Sequence, residues 1–67
     1  MILFVAYAGR VAVGYSRNIR SAKDIANEKR AEEIHELHIP DVKGEMQMER
    51  VRRWRRHSWS KIFIEVP

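Results

Sequence analysis

Only Gly9-Arg10 separates two short β-prone runs, Ile-Leu-Phe-Val-Ala-Tyr-Ala over residues 2–8 and Val-Ala-Val-Gly-Tyr-Ser over residues 11–16. A Gly-X pair between such runs fits a type II′ turn, so the chain is expected to open with an antiparallel β-hairpin. With that loop, Ala8 pairs with Val11, Ala6 with Val13 and Phe4 with Tyr15. Leu3, Val5, Tyr7, Ala12 and Gly14 then fall on the opposite face. Both faces are apolar. A first strand of this kind belongs inside a sheet, with helices over one side and a second subunit or a partner over the other.

Length limits what can cover that hairpin. A 67-residue chain has room for a single domain, residues 1–67, with one small core. It contains no cysteine, so neither a disulfide nor a thiolate zinc site can reinforce the fold. Docking on a partner or forming a homodimer is the remaining reinforcement, and a homodimer or an obligate complex is expected.

Beyond the hairpin, Ser21 reads as an N-cap with Asp24 in the first turn, opening a helix from Ala22 to about Glu33. Its inner stripe of Ala22, Ile25, Ala26 and Lys29 is narrow and made mainly of small side chains. Residues 34–39 read as a short strand, although the same letters would also extend the helix to His38. Asp41 to Gly44 reads as a turn. Glu45 to about His57 reads as a second helix, and Lys61 to Val66 as a closing strand. The expected fold is α+β in the order β-β-α-β-α-β. In it the first strand of the N-terminal hairpin is central and two helices pack on the sheet. A ββαα arrangement with a closing strand is the alternative.

The net charge of +4 is unevenly distributed. Residues 1–44 hold seven basic and six acidic side chains, whereas residues 45–67 hold six basic and three acidic. Between Arg50 and Lys61 stand Arg50, Arg52, Arg53, Arg55, Arg56 and Lys61 with no acid among them, interleaved with Trp54 and Trp59. Guanidinium groups are permanently charged, fork onto phosphate oxygens and stack on flat rings, so this run suits a polyanionic partner. On a helix, Trp54 and Val51 form an inner wedge. Arg52, Arg53 and Arg56 lie outside, with Arg50 at the edge. The expected function is a small basic accessory protein that contacts the phosphate backbone of DNA or RNA. The residues expected to carry it are Arg50, Arg52, Arg53, Arg55, Arg56, His57, Trp59 and Lys61. The alternative is a protein-interaction module or inhibitor whose basic face docks an acidic partner surface.

Other chemistries find little support in the residues. His35 and His38 lie near Glu32 and Glu36, but no second ligand set accompanies them, so no metal is expected. Gly-x-Ser-x-Gly, P-loop and dinucleotide patterns are missing, and neither a cofactor nor enzyme activity is expected. The carboxylates of Glu28, Glu32, Glu33 and Glu36 are expected on a surface helix. Val11-Ala-Val-Gly-Tyr15 does not fit the aromatic pattern of an RRM-type sheet. The apolar opening is too short to span a bilayer, so a cytoplasmic protein without membrane contact is expected.

Overall fold

The computed structural model describes residues 1–40, 49–58 and 60–67. In chain order the elements are β1 (Ile2–Ala8), β2 (Val11–Ser16), α1 (Ile19–Lys29), β3 (Glu33–His38), β4 (Glu49–Arg56) and β5 (Phe63–Val66). The strands form one sheet in the order β2-β1-β3-β4-β5, and every neighbouring pair runs antiparallel.

The expected β-β-α-β-α-β order is therefore incorrect. Where a second helix was expected the chain forms β4, and α1 is the one helix among the described residues. The reason is energetic. An isolated helix over this stretch would bury little beyond Val51 and Trp54, and it would set Arg52 against Arg55 and Arg56 at repulsive i, i+3 and i, i+4 spacings. As a strand, the same residues pair with β3 on one side and β5 on the other, and adjacent arginines go to opposite faces. The expected turn over 41–44 and the start of the expected helix over 45–48 lie outside the described residues.

The hairpin forms over the expected residues, with Gly9 at φ 64° in its turn. Its register differs from the simple expectation. Ala8 pairs with Val11, but an irregularity between Ala6 and Tyr7 places Ala6 opposite Gly14, Val5 opposite Tyr15 and Phe4 opposite Ser16. A bulge shifts the alternation by one residue, which moves Tyr15 to the face of Val5 and Gly14 to the face of Ala6. Gly14 suits that position because a Cβ there would collide with Cγ2 of Ile25 on the helix.

Helix α1 begins earlier than the Ser21 cap implies. Asn18 is the N-cap, its Oδ1 accepting a 2.8 Å hydrogen bond from the Ser21 amide. At the other end Arg30 adopts the left-handed conformation and the Ala31 amide donates to the Ala26 carbonyl, closing the helix before Glu33. The small residues Ala22 and Ala26 are the buried positions of α1, so it lies close against β1 and β2. Beneath it the core joins Phe4, Ala6, Ala31, Ile34, Trp54 and Phe63. Phe4 and Trp54 meet with ring centroids 5.8 Å apart.

All of this core lies on one side of the sheet. On the other side no helix covers Leu3, Val5, Tyr7, His35, Leu37 and their neighbours among the described residues.

Candidate functional site

Strand β4 distributes the arginine run between two environments. Arg52, Trp54 and Arg56 point to the helix side, as their partners show: Arg52 lies opposite Glu36, Trp54 opposite Ile34, and Arg56 opposite Phe63. Arg53 and Arg55 lie opposite His35 and Glu33 and belong to the open face. A register shift at Val51 then sets Arg50 opposite Leu37, on the open face as well. The expected common outer surface of Arg52, Arg53 and Arg56 does not exist.

Arg52 and Arg56 hold the fold together. The Nε of Arg52 donates a 2.8 Å hydrogen bond to Glu36 and its Nη2 lies 2.6 Å from the same carboxylate. Its guanidinium also sits over the Trp54 ring at 5.1 Å. Arg56 donates to the carbonyls of Ala31, Ser60 and Ala26 and to Oδ1 of Asn27 at 2.8–3.1 Å, and it covers the Phe63 ring. These two groups tie β4 to β3, to the helix end and to the β4–β5 connection. Their hydrogen-bonding groups are largely engaged within the fold, although the Arg52 side chain stays about half exposed and Arg56 also lines an open cleft.

Glu36 is the buried acid of this arrangement, 5 % exposed, and not the surface carboxylate that a helical reading implies. Nε2 of His38 donates to it at 2.7 Å. Burial pushes the Glu36 carboxyl up, but hydrogen bonds from His38 and Arg52 and their positive charges outweigh it. Its pKa therefore falls below the usual 4.5. Since the folded value lies below the unfolded one, Glu36 stabilises the fold fully above about pH 4.5, and that contribution is lost as pH falls through the lower, folded value. Glu36→Gln is expected to flatten the acid limb of the stability curve. Urea titrations of both proteins across that limb check this, and an unchanged limb would place the linkage elsewhere.

On the open face the balance of charge is different. Arg50, Arg53 and Arg55 stand there with Glu33 as the acid among the described strand residues. Arg53 approaches Glu33 no closer than 3.8 Å, and its Nε is buried without a hydrogen-bond partner. Arg55 makes no ion pair among the described residues and borders an open cleft of about 780 Å³ at the end of the sheet, where Arg30, Lys61 and the acid Glu32 also line the wall together with Asn27 and Arg56 from the helix side. His57 is exposed just beyond β4. Trp59, one of the expected contact residues, lies outside the described residues.

Aromatic groups outside the expected site share this face. Tyr7 packs against His35 with centroids 4.5 Å apart, and Nε2 of His35 donates to Glu33 at 3.2 Å. Tyr15, on the same face through the bulge, is 69 % exposed. The signal that could have revealed this was period-two alternation across three strands, which becomes visible only when β4 is read as a strand. His35 and His38 point to opposite faces, and no group of three or more potential metal ligands occurs among the described residues. No helix among the described residues is long and apolar enough to cross a membrane.

The chain matches no protein family, no curated protein and no solved structure.

Proposed function

We propose that this protein binds nucleic acid on the open face of its sheet, with Arg50, Arg53 and Arg55 as the phosphate contacts and Arg30 and Lys61 extending the cationic rim. The observation that supports it most is the sorting of the arginine run. The members that face the core are neutralised or hydrogen-bonded, while three on the open face meet a single strand carboxylate, Glu33. A solvated face that served only solubility would mix acids and bases more evenly. Here the excess positive charge shares a face with the exposed Tyr15 ring, the half-buried Tyr7–His35 pair and apolar strand residues that no helix covers among the described residues.

Phosphate neutralisation releases counterions, so affinity should fall with salt. Three contacts give a slope in log K against log salt of roughly −2.1 to −2.7, or about a twenty- to fortyfold loss between 50 and 200 mM. Fluorescence anisotropy with a labelled oligonucleotide over a salt series measures this. An affinity independent of salt would exclude the mechanism. Tight binding of an acidic protein together with no binding of oligonucleotide would instead favour a protein-docking module.

A further inference from the structure

Resting on that reading, we infer that the open face takes a single, unpaired strand. Its bases stack on Tyr15 and on the Tyr7–His35 pair, and its phosphates run to Arg53 and Arg55. Cross-strand register supports this arrangement. Tyr15 lies opposite Val5, Val5 opposite His35, and His35 opposite Arg53, so these four form one row across β2, β1, β3 and β4. At about 4.8 Å between strands the row is roughly 14 Å long. Aromatic groups on other open sheets stack about two or three bases.

One end of the row is apolar and the other is cationic. Beside Tyr15 lies a shallow depression of about 360 Å³, bordered by Leu3, Val5 and Ala12. In the middle, Tyr7 and His35 place two rings side by side at an interplanar angle of 41°. At the far end stand Arg53 and Arg55. An unpaired nucleotide chain offers this same alternation of flat apolar bases and anionic phosphates, and base–aromatic stacking tolerates any sequence.

Other occupants fit less well. A duplex keeps its base faces stacked inside, where Tyr15 and Tyr7 cannot reach them, and among the described residues no helix stands on this side of the sheet to enter a groove. A second copy docked with the two arginine ends together would set Arg50, Arg53 and Arg55 against their own counterparts, and one docked end to end would leave those guanidinium groups over an apolar surface without an anion.

The test uses the intact chain and three labelled probes at one salt concentration: oligothymidylate, oligouridylate and a DNA duplex of the same length. The single strands are expected to bind at least tenfold more tightly than the duplex. Tyr15→Ala, at an exposed position, should weaken single-strand binding about five- to a hundredfold, and Tyr15→Phe should restore it. If the duplex binds as tightly as the single strands, or if Tyr15→Ala leaves the affinity unchanged while loss of Arg53 and Arg55 lowers it, stacking is refuted and phosphate binding stands. If none of the three probes binds, or if oligoglutamate competes as well as oligothymidylate, both readings fall.

Discussion

Arg56→Met is expected to lose roughly 3 kcal/mol of folding stability, because the carbonyls of Ala31 and Ser60 lose a charged donor in a half-buried setting. The Ala26 carbonyl is less affected, since it also accepts from the Ala31 amide. A domain of this size has on the order of 3–10 kcal/mol in total, so the loss amounts to about a third or more of its stability. Methionine keeps the apolar stem against Phe63, which confines the loss to the hydrogen bonds. The neighbouring substitution Arg55→Met should change stability by less than about 0.5 kcal/mol, because Arg55 is exposed. Urea denaturation of the pair measures the contrast. Equal effects would mean that β4 does not divide its arginines between two faces.

The opposite ranking is expected for binding. Arg53→Ser combined with Arg55→Ser removes two of three phosphate contacts from the open face. At about 1 kcal/mol for each exposed ion pair, affinity should fall roughly thirtyfold. The salt slope should flatten by about 1.5 to 2. Circular dichroism should still show a folded sheet, since neither side chain holds the core. A variant that binds as tightly as the parent chain, with the same slope, would remove these residues from the interface.

Parts of this account are readable from the letters alone. Gly9-Arg10 between two β-prone runs specifies the hairpin, and Leu37, Ile39 and Pro40 mark the strand that becomes β3. Trp54 falls in the core under either secondary structure, because an indole flanked by arginines is the main apolar group of its segment.

The arginine run itself is ambiguous locally. With two apolar residues, Val51 and Trp54, separated by three positions, helical and extended periods both place charge outward. What decides is distant in sequence. Glu36 meets Arg52, Glu33 lies opposite Arg55, and the helix end at Ala26 and Ala31 receives Arg56. Each partner is available only if residues 49–56 are extended. For the same reason the burial of Glu36 was hidden, since a charged letter at a strand position looks like surface until its cation is located. The face of Tyr15 was misassigned because one bulge residue reverses all later alternation, and Gly14, the local sign of a bulge or close approach beside Val13, does not by itself say which of the two occurs.

Side-chain NMR during titration with oligothymidylate examines most directly which face of the sheet is used. The rings of Tyr7, Tyr15 and His35 and the guanidinium signals of Arg53 and Arg55 are expected to shift, while the indole of Trp54 and the rings of Phe4 and Phe63 stay in place. Shifts concentrated on Trp54, Phe4 and the exposed surface of α1, with the tyrosines silent, would contradict an open-face interface.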